Sequence, residues 1–192
     1  MKNLDQRNQI IEYSLKLNST SLSPLRSGNI SLRAKEDSKD GYLITPSGKK
    51  YETLKPKDIV FMSINKEEEK NELGNRPSSE WRFHRDIYLE KKDAQAIVHA
   101  HSPNATAVSS HGKSIPPFHY MIALAGGEDI KCAEYATFGT KELSNNVINA
   151  LENRSACLMS NHGQVAFGKN LDDTFELAQE IENICHQYII AL

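Results

Sequence analysis

Apolar positions recur along this chain at two periods, and the switches between them divide it into elements. Over 3–19, NLDQRNQIIEYSLKLNS sets Leu4, Ile10, Ile11, Leu15 and Leu17 at near-helical spacing, which predicts a first helix. SGNISLR opens on Gly28-Asn29 and alternates Ile30 with Leu32, a turn leading into a strand. Short apolar runs at 42–45, ended by Pro46 and Ser47-Gly48, and at 58–64 predict two more strands. The polar stretch 65–77 reads as a loop, with Glu67-Glu68-Glu69 between Lys66 and Lys70 as its exposed part. Ser78 or Ser79 supplies an N-cap for a helix over about 79–92 that carries Trp81, Ile87 and Leu89.

The run AQAIVHAH at 94–101 predicts a strand, and Pro103 then opens a short helix with Gly112 beyond its end. Residues 114–127 are irregular, broken by Pro116-Pro117 and closed by Gly126-Gly127. Thr140 caps an amphipathic helix bearing Leu143, Val147, Ile148 and Leu151. Residues 155–168 form two strands about the tight turn Asn161-His162-Gly163. The final helix, 171–192, aligns Leu171, Phe175, Ala178, Ile181, Cys185, Tyr188 and Leu192 on one stripe. Strands and helices interleave without a regular βαβ rhythm or a G-x-G-x-x-G turn. The expected fold is a three-layer α/β/α domain around a mixed, largely antiparallel sheet, one domain over 1–192.

The chemistry sits where these elements end. His99 and His101 stand one residue apart at the end of an apolar strand. Residues i and i+2 of a strand share a face, about 6.6 Å apart along the backbone, so both rings reach one ion. Solvent alone would equally satisfy two polar residues at a strand end. His162 occupies a turn after another apolar strand, and two strand ends of one sheet bring three imidazoles together. Three histidines with an open fourth position is a catalytic zinc pattern rather than a structural one. His84 and His186 lie within helices, where hydrogen-bonded core or surface roles are expected. His84 nevertheless follows Glu80 by four residues, a rival ligand pair that spacing does not separate from the first. Glu80, at a helix start where the macrodipole favours its ionised form, is an ordinary N-terminal glutamate, a ligand or a general base. Gly28-Asn29, Ser47-Gly48 and Ser78-Ser79 each offer small side chains and backbone N–H groups, as phosphate cradles do.

Composition narrows the classes. In 192 residues, 23 Lys plus Arg face 25 Asp plus Glu, so no basic field argues for nucleic acid. No stretch approaches the roughly 18 apolar residues of a membrane span. Three cysteines without a C-x-x-C pair, and an N-terminus charged where a signal peptide is apolar, give a cytoplasmic expectation.

Seven segments from 28 to 168, in order GNISLR, LITPSGKKYETL, PSSEWRFH, AIVHAHSPNATAVS, SIPPFHYMIALAGG, CAEYATFGTKELS and NHGQVAFG, resemble the class II aldolase/adducin family. The resemblance implies a metal site of His99, His101 and His162 with Glu80 as fourth ligand and acid/base. It implies one Zn²⁺ per subunit, though Mn²⁺, Fe²⁺ or Co²⁺ suit such ligands too. Gly28, Asn29, Ser47, Gly48, Ser78 and Ser79 would hold the substrate phosphate, and Phe138 would line the aldehyde pocket. Tyr120 would be a proton donor contributed by a neighbouring subunit of a homotetramer.

The implied reaction is reversible cleavage of a ketose 1-phosphate, foremost L-fuculose 1-phosphate, into dihydroxyacetone phosphate and L-lactaldehyde. Cleavage of 5-deoxypentulose 1-phosphates and 4-epimerisation of pentulose phosphates are the alternatives within the family. The epimerases place an acidic residue where HYMIA stands here. The adducin branch, a non-catalytic module, lacks the histidine ligands that this chain has. The family's aldolases extend past the last helix with a tyrosine that closes over the site. With the sequence ending at Leu192, the expectation is a complete metal site and phosphate cradle without that closure.

Overall fold

The computed structural model describes residues 1–20, 22–65 and 74–192, so the predicted acidic loop at Glu67-Glu68-Glu69 lies outside the described residues. Its helices are α1 (Leu4–Ser19), α2 (Trp81–Glu90), α3 (Pro103–Ser109), α4 (Lys141–Ala150) and α5 (Leu171–Ala191). Its strands are β1 (Asn29–Glu36), β2 (Lys39–Ile44), β3 (Val60–Ser63), β4 (Ala96–Ala100), β5 (Cys132–Ala133), β6 (Ala156–Met159) and β7 (Gly163–Gly168).

These strands form one sheet in the order β3-β2-β1-β4-β7-β6-β5. Among the described residues only β5 and β6 run parallel; the other neighbours are antiparallel, as the sequence predicted. Alternation along β4 assigns the two faces. Ala96, Val98 and Ala100 join a core with Ile10 and Leu17 of α1, Ala105 of α3, and Phe175 and Ile181 of α5. Ile97 turns the other way, into a core with Trp81, Phe83 and Ile87 of α2 and Leu143 and Val147 of α4. Period-2 alternation thus produces the expected three layers, with β4 apolar throughout because both its faces are covered.

Element boundaries shifted for local reasons. Asp37 and Ser38, both at positive φ, close a two-residue hairpin, so β2 begins at Lys39 rather than 42. Pro56–Asp58 coils into a 3₁₀ turn in which the Asp58 carboxylate accepts from the Lys55 amide, and β3 therefore starts later than 58. In α1 the buried face is Arg7, Ile10, Tyr13, Ser14 and Leu17, while the predicted Leu4 and Leu15 are 47% and 41% exposed. Arg7 goes inside because its guanidinium pairs with Glu36 at 2.8 Å and donates to the Lys2 and Pro56 carbonyls. In α5, Thr174 and Ile184 are buried and Leu192 is exposed. Pro103 at the start of α3 and the Thr140 cap of α4 stand as predicted, the latter accepting from Leu143 N–H at 3.2 Å.

The predicted Ser78 or Ser79 cap of α2 is a correction. The cap position is Glu80, and no side chain caps it. Ser78 instead stabilises the turn before it, its carbonyl accepting from Trp81 N–H at 3.0 Å and its Oγ from Glu80 N–H at 3.3 Å. This frees the Glu80 carboxylate from capping and leaves it pointing to the sheet end.

Candidate metal centre

The pairing of β4 with β7 sets the site. Ala100 lies opposite Gln164, so the turn that precedes β7 necessarily abuts the residue that follows β4. His99 is buried on the α2/α4 side of β4, and His101, past the strand end, is held by its amide donating to Ser23 Oγ at 2.9 Å. His162 sits in the β6–β7 turn, where Asn161 is left-handed (φ 55°) and His162 N–H donates to the Met159 carbonyl at 3.0 Å. The three rings meet edge to face, with centroids 4.8, 4.9 and 4.7 Å apart.

Glu80, immediately before α2, completes the group. One ligand atom from each of Glu80, His99, His101 and His162 lies within 4.8 Å of every other. Glu80 Oε2 is 3.1 Å from His99 Nε2, Oε1 is 3.1 Å from His162 Nε2, and His101 Nε2 is 2.9 Å from His99 Nε2. His99 Nδ1 lies 2.8 Å from the Gln164 carbonyl, which only accepts. Nδ1 therefore carries the hydrogen, and Nε2 presents its lone pair inward. Glu80 Oε1 is buried and makes no hydrogen bond among the described residues. Lone pairs gathered with too few hydrogens are satisfied by a divalent cation. Three imidazole nitrogens and a carboxylate oxygen are a donor set for Zn²⁺ or a neighbouring first-row ion. The residues present fit a metal.

Burial pushes the Glu80 carboxyl upward, but the His99 and His162 imidazoles beside it outweigh burial and hold it well below the usual carboxylate range. Burial, reinforced by His99 and His162, takes His101 down to about 3, so its ring is neutral and ready to ligate.

A cleft of ≈ 370 Å³ opens onto this group, lined by Ser79, Glu80, His101, Tyr135, Phe138 and His162. A second cleft shares Ser79 and Phe138 with it and adds Ser47, Arg76 and Arg82. The loops bearing Ser47 and Ser78 are stitched by a bridge between Pro46 and Pro77 and by Ser47 N–H donating to the Arg76 carbonyl at 3.0 Å. Gly48, at φ 75°, forms the exposed tip of the first loop. Asn29 donates to Glu80 Oε2 at 2.9 Å, which leaves one amide hydrogen for a ligand. Gly28 lies under His99: a Cβ there would stand 2.6 Å from the His99 carbonyl oxygen. Tyr120 lines neither cleft and is 81% exposed.

Residues 8–189 match the family model described as Class II Aldolase and Adducin N-terminal domain. The chain belongs to the class II aldolase and adducin family. Within it, the chain is 47% identical over 184 residues to the L-fuculose phosphate aldolase of Escherichia coli K12, covering 96% of this chain and 82% of that protein. It is 45% identical over 183 residues to the 5-methylthioribulose-1-phosphate/5-deoxyribulose-1-phosphate aldolase of Rhodospirillum rubrum, covering 95% and 79% respectively. A solved L-fuculose 1-phosphate aldolase superposes with a TM-score of 0.91 at 39% identity, over 100% of this chain and 88% of that one. Membership in the family and these relatives support the lyase chemistry of class II aldolases.

Sequence reasoning missed Ser23, Tyr135 and the support given by Gln164. Ser23 reaches His101 across 78 residues, a contact no local pattern encodes. Tyr135 is 62% exposed beside Phe138, and an aromatic in an irregular polar segment is the one signal that could have raised it. His84 proves fully buried and outside the ligand cluster, so the rival Glu80–His84 pair is not the metal group.

Proposed function

We propose that this chain is a Zn²⁺-dependent class II aldolase that cleaves L-fuculose 1-phosphate reversibly into dihydroxyacetone phosphate and L-lactaldehyde. It would work as a single 1–192 domain in a cytoplasmic homotetramer. The observation that carries the reading is the convergence of three imidazoles on a buried carboxylate with an unsatisfied oxygen. An ion held by His99, His101, His162 and Glu80 would stabilise the negative charge that develops on oxygen when a carbon–carbon bond next to a carbonyl breaks.

The chain's own residues do the rest. Asn29, Ser47, Ser78, Ser79 and the Gly28 and Gly48 turns hold the phosphate and thereby orient the reacting carbon. Arg76 and Arg82, on the adjoining cleft wall, add a positive field for a dianionic group. Glu80 moves the proton of the donor carbon, with Oε1 the oxygen available to take it because Oε2 already accepts from Asn29. Phe138 borders the aldehyde side. Tyr120, exposed and outside the lining of the cleft of its own chain, is read as the proton donor to a neighbouring copy, which is what supports the oligomer.

A second reading, cleavage of 5-deoxyribulose 1-phosphate, is favoured by the 45% identical relative named for that activity. Both substrates end in a methyl group, which suits an aldehyde side bordered by Tyr135 and Phe138. Purified protein incubated with dihydroxyacetone phosphate and separately with L-lactaldehyde, acetaldehyde and glycolaldehyde distinguishes them. Preferred condensation with L-lactaldehyde is expected. Preference for acetaldehyde transfers the assignment to the second reading, and a metal-free protein inert to every aldehyde removes the enzyme reading altogether.

A further inference from the structure

The polar interior behind Glu80 is longer than a ligand set requires. Asn29 Nδ2 lies 2.9 Å from Glu80 Oε2, and Asn29 Oδ1 contacts His84 Nε2. His84 Nδ1 lies 2.7 Å from Ser31 Oγ, which is 2.9 Å from the Tyr88 hydroxyl. Ser31, His84 and Tyr88 are fully buried, and Asn29 is 3% exposed. The chain arises from two periods in register. Asn29 and Ser31 share one face of β1, and Glu80, His84 and Tyr88 recur every four residues along the start and body of α2.

Every link has one permitted direction. The Glu80 carboxylate only accepts, so Asn29 must present its NH₂; a flipped amide would set two oxygens 2.9 Å apart. Asn29 Oδ1 therefore faces His84, and His84 Nε2 must carry the hydrogen. Its Nδ1 lone pair then accepts from Ser31, whose oxygen accepts from Tyr88. Burial, with His99 nearby, pushes His84 down to about 3, so the ring stays neutral with one N–H and one lone pair.

We infer that His84 is a positioning residue: by donating from Nε2 to Asn29 Oδ1 it holds the amide that pins Glu80 Oε2 beside His99, so that Oε1 stays turned toward His162. The inference rests on the aldolase reading above and adds the group that sets the carboxylate for it. Asn29 is one step behind Glu80, where loss of a partner typically changes metal affinity about 10- to 100-fold. His84 acts through it from two steps behind, so the lower end of that range applies.

The test uses full-length His84→Phe, which keeps ring volume without a donor, and His84→Gln, whose carboxamide nitrogen still reaches Asn29. Ser31→Ala removes the link on the far side. Two quantities are read: Zn²⁺ affinity of chelator-stripped protein by competition, and proton exchange at the donor carbon of dihydroxyacetone phosphate. His84→Phe should bind Zn²⁺ about 10-fold more weakly. It should also lower the exchange kcat by a larger factor than it raises KM. His84→Gln should recover most of both, Ser31→Ala should fall between, and nitrogen NMR of the wild type should show the Nε2–H tautomer of His84.

Wild-type Zn²⁺ affinity in a folded His84→Phe, damage in His84→Gln equal to that in His84→Phe, or an Nδ1–H tautomer overturns the inference. If His84→Phe does not fold, Ser31→Ala and the tautomer decide. Failure of the aldolase reading looks different: the wild type itself would bind no divalent ion and leave the donor carbon unexchanged, while the tautomer would still test the hydrogen-bond chain.

Discussion

The site is a matching of donors with acceptors, residue by residue. His99 spends its only hydrogen on the Gln164 carbonyl, so its inward nitrogen is useful only to something electrophilic. Removing one ligand should therefore abolish retention of the ion: His99→Ala or His162→Ala, purified in parallel with wild type, should hold less than about a tenth of its metal by elemental analysis. Full metal content in either would contradict the assignment. The buried, neutral His84 also has a consequence for acid stability. Between pH about 6.5 and about 3, the unfolded chain binds a proton at this residue that the folded chain does not. Stability therefore falls as pH is lowered through that window, by about 2 kcal/mol at pH 5 from this residue. Urea midpoints of metal-free protein at pH 7 and pH 5 should show the drop, and His84→Gln should make it smaller, the remainder including the share of His101.

At the scale of elements, close backbone approach decides whether the histidines meet. A Cβ on Gly163 would stand 2.4 Å from the Ala100 carbonyl oxygen and 3.2 Å from His101 Cα. The first turn of β7 packs directly on the end of β4, with no room for a side chain. Gly163→Ala should force these segments apart, costing about 1–3 kcal/mol. Because the shift separates His162 from His101, the same variant should titrate with Zn²⁺ more weakly. Thermal denaturation and chelator competition check the two effects, and a loss of stability with wild-type affinity would show that the approach does not govern the site.

At the scale of the whole molecule, the ion and the assembly both report on the folded state. A ligand bound only by the native chain stabilises it by about 2.7 kcal/mol at 100 times its Kd. For a chain of this size, that corresponds to roughly 5–10 °C in Tm. Chelation should lower Tm by about that amount, and Zn²⁺ should restore it. The exposed Tyr120 makes a different demand. If it serves a neighbouring copy, co-expressed Glu80→Gln and Tyr120→Phe chains should form mixed oligomers with more cleavage activity than either variant alone. A mixture no better than the variants would place Tyr120 outside the reaction.

The layers and the largely antiparallel sheet were legible before any coordinates, and the family resemblance singled out the four residues that the fold brings together. Period-2 and near-helical apolar patterns encode which face is buried, and His99, His101, His162 and Glu80 each stand where an element begins or ends. Local pattern did not reveal that Arg7 is buried, that Leu15 is not, or that Glu80 rather than a serine takes the cap of α2. Those outcomes depend on partners supplied by other elements: Glu36 for Arg7, and Asn29 with three imidazoles for Glu80. Only the tertiary structure decided that His84 stands behind the Glu80–His99–His101–His162 cluster instead of within it. Which neighbours a buried nitrogen meets depends on the register between α2 and β1, and a one-dimensional period carries no information about the register between elements.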